Sequence, residues 1–361
     1  MKTHAWTVHR AGEPMVLEDR DVEPGPDEVV VQVAGCGVCH TDLGFFYDGV
    51  PTRHQLPLTL GHEVSGTVVE AGSAARAWIG RPVVVPAVIP CGECPACRSG
   101  NGRVCPTQVF PGNDVHGGFA THLAVPARGL CPVPDLGDRA INPRGIALLE
   151  LAVVADAVST PYQAIRLAGL AAGDLAVFVG AGGVGAFGVQ IAAALGARVV
   201  AIDVRADRLA LARAHGAELT LAAGELSFKA LRDAVRQLAE QHAIPSYRHK
   251  IFETSGSEAG QATAFGLVGH GAHLAIVGYT PRKLELRLSN LMAFDATARG
   301  NWGCLPEHYP AIVDLVLAGR IALAPFVEER PMSEINHVFD DLHAGRASRR
   351  VILVPESGSW S

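Results

Sequence analysis

The chain has 361 residues, more than one ordinary hydrophobic core organises, so two domains are expected. Hydrophobic residues make up 48% and charged residues 18%, a balance that specifies a folded protein and excludes general disorder. Lys plus Arg number 30 against 36 Asp plus Glu, a net charge of −6 with no basic run, so nucleic-acid binding has no electrostatic basis.

The opening residues, MKTHAWTVHRAGEPMV, lack the long apolar run that export requires. No uncharged apolar stretch reaches the length of a membrane span, so no membrane partner is expected. The expectation is a cytoplasmic protein whose eight cysteines stay reduced. The first half reads as β-rich: DEVVVQVAG, VSGTVVEAG and RPVVVPAVIP are short β-branched runs punctuated by Gly and Pro.

Between the first two runs lies AGCGVCHTD, Ala34 to Asp42. Cys36, Cys39 and His40 spell the haem-attachment pattern C-x-x-C-H, Cys36 and Cys39 alone spell a redox pair, and Cys39 could instead open a catalytic metal site. A reduced compartment speaks against haem, but the motif does not choose by itself. GHEVSGTV then offers His62 and Glu63, a pair that means little alone.

CGECPACRSGNGRVC places Cys91, Cys94, Cys97 and Cys105 in C-x2-C-x2-C-x7-C spacing. Four thiolates on a short Gly- and Pro-bearing loop can close tetrahedrally around Zn2+, leaving no open position, so this ion would be structural. An iron–sulfur cluster is the alternative for such a set.

The middle changes character. DLAVFVG, GGVGAFGVQIAAALG and ARVVAID read as strand, helix and strand, a parallel βαβ unit. The theme repeats in RADRLALARAHGA, HKIFETSG, EAGQATAFGLVGHG and AHLAIVGYT. The first strand-to-helix turn carries G-x-G-x-x-G at Gly180, Gly182 and Gly185, with Gly183 and Val184 between. That context makes it a dinucleotide site: glycines for the turn, the pyrophosphate approach and the helix packing, with the helix N-terminus toward the phosphates. Asp203 ends the next strand 18 residues after Gly185, where a carboxylate accepts ribose hydroxyls and repels a 2′-phosphate, favouring NAD over NADP. Arg208, with Arg205, lies nearby and is expected at the cofactor too, although an Arg can also hold a 2′-phosphate. The boundaries read as 1–155 for the β-rich domain, 156–300 for the nucleotide-binding domain, and 301–361 for a segment returning to the first.

Cys39-His40-Thr41-Asp42, then Gly61-His62-Glu63, then the four-cysteine lobe, all ahead of the βαβ unit, form an ordered set. In that order the chain resembles the zinc-containing medium-chain alcohol dehydrogenases over nearly its whole length. The resemblance implies an α/β fold: a Rossmann doubly wound parallel sheet plus an irregular β-rich, GroES-like catalytic domain. It implies two Zn2+ per chain, one catalytic and one structural, with NAD as cofactor, in a homo-oligomer (dimer or tetramer). Cys39 and His62 would bind the catalytic zinc. Many relatives supply the next ligand as Cys; here ELAVVADAVSTPYQAI puts Asp156 in the matching place. Glu63 would be an exchangeable ligand or a neighbour, Asp42 would support the ligands, Thr41 would pass the substrate proton, and His40 would touch the pyrophosphate. Some relatives end the proton relay at a His five residues after the zinc-binding cysteine, where this chain has Gly44.

Three segments, HTDLGFFYDGVPTRHQLPLTLGHE, VHGGFATHLAVPARGLCPV and RLSNLMAFDATARGNWGCLPEHYP, resemble in particular members that oxidise a ring alcohol beside an unsaturated CoA thioester. This implies an acyl-CoA substrate in aromatic degradation; Arg53, His54, Arg282 and Lys283 are cations that could receive its diphosphate, and each taken singly reads as ordinary solvated surface charge. The rivals are a secondary-alcohol or polyol dehydrogenase on the same scaffold, a zinc-free enoyl reductase, and a non-catalytic NAD-binding protein holding one zinc.

Overall fold

The computed structural model describes residues 1–356 and divides into two compact units. The first unit comprises Met1–Ser159, Gly303–Gly319 and the chain from Phe326 on. Its main sheet is mixed and mostly antiparallel, in the spatial order Val327–Pro331, Arg350–Val354, Glu28–Gly37, Glu63–Ala71, Pro82–Val85 and Cys131–Pro132, with His122–Pro126 also on Glu28–Gly37. Alternation puts Val29, Val31, Val64, Leu123 and Leu353 into one core with Phe119 and Phe339. Two pairings matter for chemistry. Gly37 lies opposite Glu63, so the chain leaving the first strand at Cys39 and the chain entering the second at His62 emerge at one sheet end. Gly37 also lies opposite Ile352, which brings Arg350 to the same end. A side chain at Gly37 would collide with Glu63, since an added Cβ would stand 2.1 Å from Glu63 Oε2.

The second unit comprises Thr160–Trp302 and Arg320–Pro325. Its six strands are all parallel, ordered Leu219–Ala222, Arg198–Asp203, Leu175–Val179, His249–Glu253, His273–Ile276 and Thr297–Gly300. Numbered along the chain this is 3-2-1-4-5-6, the doubly wound Rossmann arrangement. Every residue of the central strand LAVFV is buried, as a parallel strand covered on both faces requires. Helix Gly185–Ala194 packs so closely on the preceding turn that a Cβ at Gly185 would stand 1.8 Å from the Gly180 carbonyl oxygen.

The unit borders differ from the expected ones in three places. Asn301 and Trp302 stay with the second unit, where the Asn301 N–H donates to the Ile276 carbonyl. Asp156 to Ser159 stay with the first unit, because the Ala155 carbonyl accepts the Tyr309 hydroxyl and Asp156 lies against Cys39 and His62. Arg320–Pro325 go with the second, because Arg320 donates to Ala194 O and Ala322 exchanges hydrogen bonds with the Gln190 amide. Among the described residues no helix is long and apolar enough to cross a membrane.

Candidate metal centres and dinucleotide site

Cys39 precedes helix His40–Phe46, and His62 leads into Glu63–Ala71. The 3₁₀ helix Leu149–Ala155 delivers Asp156 to the same place. One donor atom from each of Cys39, His62, Glu63 and Asp156 falls within 4.8 Å of all the others. Cys39 Sγ and His62 Nε2 each lie 3.6 Å from Asp156 Oδ2. Ligands at about 2.0–2.3 Å around a tetrahedral zinc stand about 3.3–3.7 Å apart, so these three donors fit that ion.

The imidazole is aimed by its other nitrogen, since His62 Nδ1 lies 3.2 Å from Asp42 Oδ1. Asp42 is fully buried and accepts the backbone N–H groups of Cys39 (2.9 Å) and Gly61 (3.2 Å) as well. One carboxylate thus ties together the two chain segments that carry Cys39 and His62. Burial disfavours a charged His62, but the Asp42 carboxylate, with hydrogen bonding to Asp156, Asp42 and Cys39, outweighs it and raises the pKa well above the usual imidazole value. A cation arriving at Nε2 has to displace that proton.

Glu63 is fully buried and its carboxylate is gripped by both Nε and Nη2 of Arg350, itself almost fully buried. Arg350 Nη2 also lies 3.9 Å from Asp156 Oδ2. Burial works against the Arg350 charge, yet Cys39, Glu63 and Asp156 around it push its pKa well above the ordinary value. Cys39, Glu63 and Asp156 thus surround the Arg350 guanidinium, and a divalent ion would add positive charge to this donor set. Thr41 Oγ1 sits 3.7 Å from Cys39 Sγ, and His40 is exposed on the same turn. Cys36 is fully buried and stands apart from the metal-binding group.

The second group is Cys91, Cys94, Cys97 and Cys105. The Cys91–Cys97 and Cys94–Cys105 sulfur pairs are 3.9 and 3.8 Å apart, too long for disulfides. They match the ~3.8 Å edge of a tetrahedron with zinc–sulfur bonds of about 2.3 Å. Backbone N–H groups of Cys91, Cys94 and Cys97 point at Cys105, Cys91 and Cys94 sulfurs, as suits thiolates.

In the second unit, Gly180 has φ +100°, and an added Cβ would strike the Ser255 backbone. Gly182 and Val184 are half-buried and Gly183 is exposed, so the turn presents backbone to solvent at the N-terminus of a ten-residue helix. Asp203 Oδ2 accepts the Ala181 N–H at 2.7 Å and Oδ1 the Arg205 N–H at 2.9 Å. That holds the carboxylate beside the glycine turn. The Arg205 side chain is bound to Asp207, whereas Arg208 lies beside Gly182 with Nη1 3.8 Å from Asp203 Oδ2.

Residues 25–135 match the alcohol dehydrogenase GroES-like domain, and residues 183–318 match the zinc-binding dehydrogenase family. An alcohol dehydrogenase of Geobacillus stearothermophilus is 30% identical over 331 residues, which cover 90% of this chain and 91% of that protein. The chain belongs to the zinc-dependent medium-chain alcohol dehydrogenase family. The crystal structure of the alcohol dehydrogenase from the archaeon Aeropyrum pernix superimposes with a TM-score of 0.83 at 30% identity, covering 98% of this chain and all (100%) of that one. Galactitol-1-phosphate dehydrogenase from Escherichia coli gives 0.84 at 25% identity, with the same coverage of 98% and 100%.

As a medium-chain alcohol dehydrogenase, the protein is an oxidoreductase acting on CH–OH donors. Sequence reasoning named Cys39, His62, Glu63, Asp156 and the four lobe cysteines, and the fold brings each set together. It missed Arg350. The available signal was RRVILV, an arginine opening an apolar strand, together with a buried Glu63 in need of a cation.

Proposed function

We propose that this dehydrogenase oxidises a secondary alcohol and passes the hydride to NAD+. Cys39, His62 and Asp156 would hold the catalytic zinc and leave a fourth place for the substrate. The approach of Cys39 Sγ and His62 Nε2 to Asp156 Oδ2, with Glu63 occupied by Arg350, is the observation that carries this reading. Zinc there would supply Lewis acidity toward an alcohol oxygen, and NAD the hydride acceptor. Asp42 keeps the His62 ring aimed, and Thr41 offers a hydroxyl to take the substrate proton. Gly44 has no side chain to carry that proton further. The Cys91, Cys94, Cys97 and Cys105 set would hold the structural zinc. The Gly180-to-Gly185 turn would meet the pyrophosphate, with Asp203 and Arg208 at the adenosine ribose.

Asp203 supports NAD over NADP by charge repulsion of a 2′-phosphate and by its ribose hydrogen bonds. Asp203→Gly should narrow the NAD preference by about 10- to 100-fold, the worth of charge-assisted hydrogen bonds. Steady-state rates with both cofactors measure it. Faster wild-type turnover with NADP+ at equal concentration would contradict the reading.

For the substrate, three segments resemble 6-hydroxycyclohex-1-ene-1-carbonyl-CoA dehydrogenase. The proposed reaction takes that CoA ester to 6-oxocyclohex-1-ene-1-carbonyl-CoA, as in anaerobic benzoyl-CoA degradation. Arg282 and Lys283 are exposed and suit an anionic diphosphate, whereas Arg53 already faces Asp114 at 3.4 Å. A polyol or simple secondary alcohol is the second reading, supported by the similarity to galactitol-1-phosphate dehydrogenase. A panel with NAD+ separates them. The CoA ester should exceed cyclohexanol-type alcohols in kcat/KM, because remote binding energy is spent in the transition state. Equal values would remove the CoA assignment and leave the alcohol chemistry standing.

A further inference from the structure

The turn that delivers Asp156 is organised around one carbonyl. Leu151 to Ala155 are fully buried, and Asp156 leaves the 3₁₀ helix at φ −142° and ψ −57°, outside both the helical and extended regions. The Ala155 carbonyl oxygen, in the peptide immediately before Asp156, has three donors around it. The Tyr309 hydroxyl donates at 2.5 Å, Ser159 Oγ lies at 3.1 Å, and the Ala87 N–H donates at 3.4 Å. Ser159 Oγ also lies 3.2 Å from the Tyr309 hydroxyl, so the two form a pair. Both side chains are fully buried.

A peptide is planar and turns as one body, so fixing the Ala155 oxygen fixes the direction in which the chain enters Asp156. That direction sets where the Asp156 carboxylate begins, and so whether Oδ2 meets Cys39 Sγ and His62 Nε2. Packing alone does not explain the hydroxyl. A phenylalanine would fill the same space, and a buried hydroxyl is costly unless bonded. Burial also drives the Tyr309 pKa well above the ordinary phenol value, so the group stays a donor.

We infer that Tyr309, backed by Ser159, is a positioning residue for the catalytic metal, acting through the Ala155–Asp156 peptide. The inference rests on Asp156 being a metal ligand, and the test separates the two. Wild type, Tyr309→Phe, Ser159→Ala and Asp156→Ala are prepared as full chains. Zinc retained per chain is measured across a chelator series, with thermal unfolding and the absorption of cobalt-substituted protein alongside. Tyr309→Phe should keep the Cys91-lobe ion at wild-type chelator concentrations. It should release the other ion about 10- to 100-fold more easily, the usual effect of losing a group that orients a ligand. Ser159→Ala should move the same way by less, and carries the test if Tyr309→Phe does not fold. Excess zinc should restore Tyr309→Phe turnover. Wild-type affinity at both sites in Tyr309→Phe and Ser159→Ala would overturn the positioning role. So would parallel loss of both ions, which would mark a purely structural contribution. An Asp156→Ala protein that keeps both ions would instead overturn the ligand reading beneath it.

Discussion

Asp156→Ala is expected to lower kcat/KM by about 10³-fold or more while leaving the fold intact. The Lewis acid of such a site contributes several kcal/mol to the transition state, and about 4 kcal/mol corresponds to about three decades of rate. Without Asp156, Cys39 and His62 are left as a two-donor set, and Glu63 does not substitute because Arg350 grips its carboxylate. Asp156 is also the least buried of the four donors, so its loss leaves a small, partly solvated gap. Asp156→Cys is expected to keep activity far better, since many relatives have cysteine at that place. Steady-state kinetics of the two variants checks the claim, and equal losses in both would contradict it.

Arg350→Met should produce the largest loss of stability from a single change. Glu63 and Arg350 bond through two contacts with almost no exposure, and removing the cation strands a carboxylate in the interior. Breaking a buried pair this way costs about 3–5 kcal/mol. For a unit of this size, this amounts to a fall in Tm on the order of 10 °C. Adding Glu63→Gln should recover part of it, because the stranded charge disappears. Differential scanning calorimetry of the single and double variants reads this directly. A double variant less stable than Arg350→Met would show that the pair is not the source of the effect.

What was legible in the sequence is what short-range spacing encodes. The turn Gly180 to Gly185 and the cysteines from Cys91 to Cys105 carry their geometry within a few residues, and each was readable in place. Cys39 and His62 were readable as a motif order, but what joins them is the register of Gly37 opposite Glu63 and the Asp42 carboxylate. Arg350 and Tyr309 were not singled out, because their partners Glu63 and Ala155 lie 287 and 154 residues away. Tyr309 has no local signal at all, and for Arg350 the arginine opening an apolar strand is a cue that does not name its partner. Helix Phe228–Gln241 is a different kind of omission. Ser227 caps it, and Leu231, Val235 and Leu238 recur at helical spacing, so the pattern was present but unread. Arg320–Pro325 join the second unit through Ala194 and Gln190, bonds that no local pattern announces.

One chain offers two metal-binding sets, one closed by four thiolates and one left open by Cys39, His62 and Asp156. Elemental analysis of active wild-type protein, alongside Asp156→Ala, tests it most directly. Two zinc ions are expected per wild-type chain and one, in the Cys91 lobe, for Asp156→Ala. A single zinc in fully active wild-type protein would contradict it.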